Sequence, residues 1–189
     1  MQKNENPVIL AVILFAITAV AALILAATNN LTALKIEENT TKEQNEARVA
    51  VMPDANEFEK LDVSLDEESL ATEIYAGKNP QGEIVGYCVG VSSNGFGGNI
   101  NMIVGVDKEK TVTGIKIVSM SETPGLGSKA QEPKFSNQFI KKDASNPLKV
   151  IKSGIIDDNE IVAISGATVT SNAVTNGVNA AVDAVNNLK

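Results

Sequence analysis

The chain contains no histidine. That removes a histidine metal ligand, a histidine general base and any Ser-His-Asp arrangement. Cysteine occurs once, at Cys88, which excludes an intrachain disulfide, a Cys-x-x-Cys pair and a cysteine-held iron–sulfur cluster. Set in an apolar, β-branched run, Cys88 reads as a buried strand residue. Positive charge is scarce: 16 Lys and Arg against 23 Asp and Glu give a net charge of −7. A nucleic-acid partner calls for the opposite balance. Such acidity suits an extracytoplasmic protein, and most of it reads as a solvated face. The one glycine-rich run, Asn94-Gly95-Phe96-Gly97-Gly98, is not followed by Gly-Lys-Ser/Thr and opens no helix. It is therefore neither a phosphate-binding Walker loop nor a dinucleotide fingerprint. No constellation of side chains here carries substrate chemistry without a cofactor.

Residues 8–27 form an uncharged run of twenty, with Thr18 its only polar member. At about 1.5 Å per residue a helix of that length crosses the ~30 Å hydrocarbon core. A secretory signal has an apolar region of only ~7–15 residues, so the run is expected to be a retained single-pass anchor. Lys3 lies on one side of it, and Lys35, Lys42 and Arg48 on the other among Glu37, Glu38, Glu43 and Glu46. A bare Lys/Arg count keeps the C-terminal side inside, but that rule weakens when a long folded domain follows. Residues 29–50, rich in Glu, Lys, Asn and Thr, read as a helical stalk that Pro53 and Asp54 end.

Beyond the stalk the period changes. Residues 58–63, 71–76 and 84–91 read as strands, with an acidic turn at 64–69 and Asn79-Pro80-Gln81-Gly82 as a hairpin turn. Residues 100–106 and 112–118 form a second pair around Asp107-Lys108-Glu109-Lys110, and Gly114 marks a bulge. Helical signals follow the strands, starting after Gly127. At the chain end Val174, Val178, Ala181, Val182, Val185 and Leu188 recur at spacings of three and four. Strands first and helices later predict an α+β fold: an antiparallel sheet covered by helices, behind an N-terminal transmembrane helix. The expected division is 1–28 (cytoplasmic N-terminus and anchor), 29–50 (stalk) and 51–189 (folded domain).

Two stretches carry the chemistry. In Ser165-Gly166-Ala167-Thr168-Val169-Thr170-Ser171 a short strand turns directly into the last helix. The first N–H groups of that helix are unpaired and, with the helix dipole, favour an anion. Gly166 and Ala167 admit a bulky group to the backbone, and Thr168 places a hydroxyl there. The same residues also suit a tight turn and N-caps, with Thr170 and Ser171 where a cap is wanted. On residue chemistry alone both readings stand. The second stretch, Ser121-Glu122-Thr123-Pro124-Gly125-Leu126-Gly127, combines a carboxylate, a hydroxyl, two glycines and a leucine able to lie on a planar ring. Flavin sites need that mixture of apolar face and hydrogen-bonding groups.

Together these motifs resemble the FMN-binding domain of two membrane electron-transfer complexes. These are the G subunit of the Rnf ferredoxin–NAD oxidoreductase and, as a near relative, the C subunit of the sodium-translocating NADH–quinone reductase. The resemblance covers nearly the whole chain, and the length of 189 residues favours the former. It implies an electron-carrying subunit with no substrate site of its own, holding FMN covalently through a phosphoester to Thr168. Ser165, Gly166, Ala167 and Thr170 are implied around the attachment, and Glu122, Thr123, Pro124, Gly125, Leu126 and Gly127 beside the flavin. The Gly-rich segment at 94–98 is implied to pack near it. Implied partners are the other membrane subunits of the complex and a flavin transferase that uses FAD, with the FMN domain outside the cytoplasm. The family pattern has an Asp three residues before the Ser of SGAT, where this chain has Val162. A non-redox cell-envelope binding module, with SGAT acting only as a cap, and the flavin-carrier domain of an extracytoplasmic reductase are the other readings.

Overall fold

The computed structural model describes residues 7–66, 69–143, 146–154 and 157–188. Lys3, Glu67 and Glu68, used above for topology and the acidic turn, lie outside them, as does the side chain of Glu37. The chain divides into two compact units, one ending at Lys42 and the other running from Glu43 to Lys189.

A single helix, α1 (Pro7–Val51), contains the apolar run and the polar stretch after it. In the first unit its apolar side chains point outward all round, Phe15 at 74% exposure and Leu23 and Leu25 at 70%. By length and composition this is a candidate membrane span. Such a helix finds its stable surroundings in lipid. Its hydroxyls suit the same setting, since Thr18 Oγ1 donates to the Leu14 carbonyl at 3.0 Å and Thr28 Oγ1 to Ile24 at 2.8 Å. Both hydroxyls are thereby satisfied within the helix.

The second unit is built on a five-stranded antiparallel meander in the order β1 (Glu57–Lys60), β2 (Ala71–Lys78), β3 (Ile84–Asn94), β4 (Asn99–Asp107), β5 (Val112–Ser119). Asx chemistry sets two of its turns. Asn79 Oδ1 accepts the N–H groups of Gln81 and Glu83, and Asp107 Oδ1 those of Glu109 and Thr111. Pairing slips between Gly105 and Val106, leaving Thr113 as the extra residue beside Gly114. The expected bulge is there.

Both faces of the sheet are covered. Met102, Val104 and Val106 join the core that holds helix α3 (Thr168–Asn186), whereas Ile103 joins Ala47, Val51, Met52 and Cys88 on the other face. Burial on both sides explains why β4 is apolar almost continuously rather than alternating. The last turns of α1 thus pack as part of the domain. Their one charged buried side chain, Arg48, donates to Asn45 Oδ1 at 2.6 Å and to Glu73 Oε1 at 3.3 Å, with its guanidinium 3.6 Å from the Tyr75 ring centre. A planar cation stacked on an aromatic ring and paired with a carboxylate tolerates this burial. Close by, the Cys88 thiol is pushed up to about 12 by burial, so it stays protonated at neutral pH and is a packing residue.

The region after Gly127 is not one helix but three short pieces. A 3-10 turn (Gly127–Gln131) is followed by α2 (Pro133–Ser136) and a second 3-10 turn (Asn137–Phe139). Pro133 has no N–H to continue the first turn and starts α2 at its first position instead. Two three-residue strands, β6 (Lys149–Ile151) and β7 (Glu160–Val162), then pair in parallel. This parallel pair is an addition to the expected antiparallel sheet. Strand β7 ends at Val162, before Ile164, and leads straight into the turn before α3.

Candidate functional site

Three segments meet where α3 begins. They are the β3–β4 loop with Phe96, the loop after β5 with Glu122 to Gly127, and the turn at 165–168. Between them is a cleft of about 400 Å³, lined by Phe96, Glu122, Thr123, Leu126, Gly127 and residues 166–170.

The turn at 165–168 follows from its residues. Gly166 sits at φ +79°, where a side chain is strained, and a Cβ there would stand 3.2 Å from Leu126 Cδ2. Its absence lets the leucine lie against the turn. Helix α3 starts at Thr168, with Ala167 at the N-cap and no side-chain cap bond. The first helical bond runs from Ser171 N–H to the Ala167 carbonyl at 3.0 Å. The N–H groups of Thr168, Val169 and Thr170 therefore fall in the first turn, where helical geometry supplies no acceptor. Half-buried Thr168 stands at that turn, beside the cleft.

The capping expectation for Thr170 and Ser171 is corrected by this geometry. Both lie inside the first helical turn rather than ahead of it, so neither side chain reaches an orphan N–H of its own helix. Ser171 Oγ donates to the Ala167 carbonyl and accepts the Ile164 N–H, each at 2.9 Å. It fastens the turn to the helix. Ser171→Ala should cost about 1–3 kcal/mol, because the Ile164 N–H loses its acceptor in a part-buried place. Urea unfolding measures this, and an unchanged midpoint would show that water replaces the hydroxyl. Thr170 Oγ1 instead donates to Glu122 Oε2 at 2.8 Å.

Of the residues singled out from sequence, Glu122, Thr123, Leu126, Gly127, Gly166, Ala167, Thr168 and Thr170 line the cleft. Ser165 lies exposed in the turn, and Pro124 and Gly125 form the exposed bend before Leu126, Gly125 at φ +76°. Gly125 N–H is held by Ser128 Oγ at 2.8 Å. Two wall residues, Phe96 and Val169, lie within segments read from the sequence but are not among the site residues named there. The available sign for Phe96 is an aromatic residue set between glycines in a loop. For Val169 it is a β-branched residue off the apolar stripe of α3. The register position where the motif has Asp is Val162, and its backbone is clamped by Gln138, whose Oε1 accepts the Val162 N–H at 2.8 Å and whose Nε2 donates to its carbonyl at 3.2 Å. Among the described residues no cluster of three metal-ligating side chains occurs.

The walls fit a flavin mononucleotide. Phe96, Leu126 and Val169 expose 74, 43 and 51% of their surface around the opening, an apolar frame for a planar ring. At its foot the first turn of α3 offers N–H groups and a dipole to a phosphate. This defines the class, and comparison with known proteins agrees with it: residues 95–183 match the FMN-binding domain family. Over 191 residues the chain is 39% identical to the G subunit of the Na⁺-translocating ferredoxin:NAD⁺ oxidoreductase complex of Acetobacterium woodii, covering 95% of this chain and 91% of the relative. It is 34% identical to the G subunit of the ion-translocating oxidoreductase complex of Methanosarcina acetivorans, covering 89% of each. The chain belongs to the family of G subunits of ion-translocating oxidoreductase complexes. In fold it is similar to the C subunit of the Na⁺-translocating NADH–quinone reductase of Parabacteroides distasonis, with a TM-score of 0.59 at 21% identity over 84% of this chain and 98% of that one.

Proposed function

We propose that this protein is an electron-relaying subunit of a membrane-bound, ion-translocating ferredoxin–NAD oxidoreductase complex, working through FMN joined to Thr168. The observation that carries the reading is the position of the Thr168 hydroxyl. Thr168 is half-buried at the first turn of a helix and lines a cleft with apolar walls. Thr168 would hold the phosphate, with the N–H groups of the same turn compensating its charge. Leu126, Val169 and Phe96 would offer the ring an apolar face, and Thr123 would offer it a hydroxyl. Bound FMN supplies reversible electron transfer, which the residues of this chain do not provide.

Loading balances as a phosphoryl-group transfer. Thr168 would hold the FMN phosphate as a phosphoester, its oxygen replacing the AMP of FAD, so that AMP and the hydroxyl proton would be released. A flavin transferase would direct this step. Val162 then bears on recognition by that enzyme, because the motif's acidic side chain is absent there.

In this reading residues 1–28 place the N-terminus in the cytoplasm and anchor the chain, residues 29–50 are the stalk, and the domain from 51 onward lies outside. Partners are the other membrane subunits of the complex. The name of the Acetobacterium woodii relative favours the ferredoxin–NAD complex over the quinone reductase, to whose C subunit the likeness is one of fold. Full-length protein from cells that hold the transferase should absorb in the visible and keep flavin fluorescence on a denaturing gel. Protease added to intact cells should remove the domain. A colourless chain would return it to the binding-module reading, and a protected domain would reverse the topology.

A further inference from the structure

Glu122 lines the cleft, yet both of its oxygens are engaged by protein. Oε1 accepts the N–H groups of Phe96 at 2.7 Å and Gly97 at 3.1 Å, and Oε2 accepts the Thr170 hydroxyl at 2.8 Å. The carboxylate is closely enclosed. A Cβ on Gly95 would stand 2.1 Å from Oε1, and one on Gly127 would stand 2.3 Å from Oε2 and 2.8 Å from Thr170 Oγ1. One side chain thus joins the Gly-rich loop, its own loop and the first turn of α3. Phe96 itself is 74% exposed, with glycine on either side. Its place depends on where the backbone is held, and two charge-assisted bonds to consecutive N–H groups hold it.

We propose that Glu122 is a positioning residue that fixes Phe96 as the outer wall over the flavin and keeps the Thr170 hydroxyl turned away from the phosphate. It does so without touching the flavin. This inference rests on the FMN reading of the cleft. The carboxylate's charge is not essential to the role. A glutamine can accept both loop N–H groups through its carbonyl and donate its amide to Thr170 Oγ1, whereas an alanine can do neither.

The test uses the full chain, produced with the transferase, as Glu122→Ala, Glu122→Gln and Phe96→Ala. All three should keep flavin fluorescence on a denaturing gel, because Thr168 is untouched. Glu122→Ala and Phe96→Ala should lose visible circular dichroism of the flavin and gain iodide quenching of its emission, in the same direction. Glu122→Gln should match the parent in both. Amide hydrogen exchange at Phe96 and Gly97 should rise in Glu122→Ala alone, a reading that flavin-free protein also gives. Parental dichroism and quenching in flavin-loaded Phe96→Ala overturns the proposal even where Glu122→Ala fails to fold, since Phe96 is exposed. Unchanged exchange at Phe96 and Gly97 in Glu122→Ala overturns it as well. A parent chain without flavin overturns the FMN reading and this inference with it, a result distinct from flavin-loaded variants that behave like the parent.

Discussion

Thr168→Ala should fold like the parent and carry no flavin fluorescence on a denaturing gel, a complete loss of attachment. Stability should move by no more than about 0.5 kcal/mol, because alanine is the better helix former and, among the described residues, the threonine hydroxyl makes no hydrogen bond. Complete loss is expected because the neighbouring hydroxyls are already committed. Thr170 donates to Glu122, and Ser171 is buried with bonds to the Ala167 carbonyl and the Ile164 N–H. Of the hydroxyls in this segment only that of Ser165 belongs to an exposed residue. Thr168→Ser, which keeps the oxygen, should keep the band. The parent and both variants are compared in cells holding the transferase. A fluorescent Thr168→Ala band would move the phosphoester to Ser165, which Ser165→Ala then tests.

Much of the sheet is legible in the sequence because its information is local. Asn79 and Asp107 close their turns within four residues, and the β-branched runs between them can only be strands. The turn before α3 is legible for the same reason, as Gly166, Thr168 and the α3 stripe lie within one continuous segment. What the sequence hides depends on distant partners. Glu122 meets Phe96 across 26 residues and Thr170 across 48. No periodicity predicts such contacts, so Phe96 does not stand out as a wall and Thr170 reads as a cap. The parallel pair β6 and β7 has three residues per strand, too few for alternation to show. The stalk reading also misses that one face of the last turns of α1, Ala47, Arg48 and Val51, is buried. Their sequence is polar, and the burial of Arg48 becomes intelligible only with Tyr75 and Glu73 in place.

Those last turns supply the second large effect. Gly105 on β4 lies directly beneath the end of α1. A Cβ there would stand 2.7 Å from the Val51 carbonyl oxygen and 2.3 Å from Thr113 Oγ1. The two atoms it would meet are bonded to each other, since Thr113 Oγ1 donates to that carbonyl at 2.6 Å. Backbone cannot swing aside as a flexible side chain can. Gly105→Ala must therefore lift the helix end, strain buried Val51 and Met52 and break the bond. Overpacking costs about 1–3 kcal/mol and the lost bond about 1 kcal/mol. Removing glycine's unfolded-state freedom returns about 0.5–1 kcal/mol. The net expectation is a loss of about 1–3.5 kcal/mol, summed from those three effects. Gly114, its cross-strand partner, gives the internal control. A Cβ there would come no closer than 3.3 Å, to Val51 Cα, so Gly114→Ala should cost clearly less. Urea unfolding of the full chain in detergent ranks the two by circular dichroism, the chain having no tryptophan to follow. If Gly114→Ala proved equal or worse, the end of α1 would not be seated on Gly105 in solution. Val51 and Met52 would then cover that face of the sheet too loosely for a single methyl group to be felt.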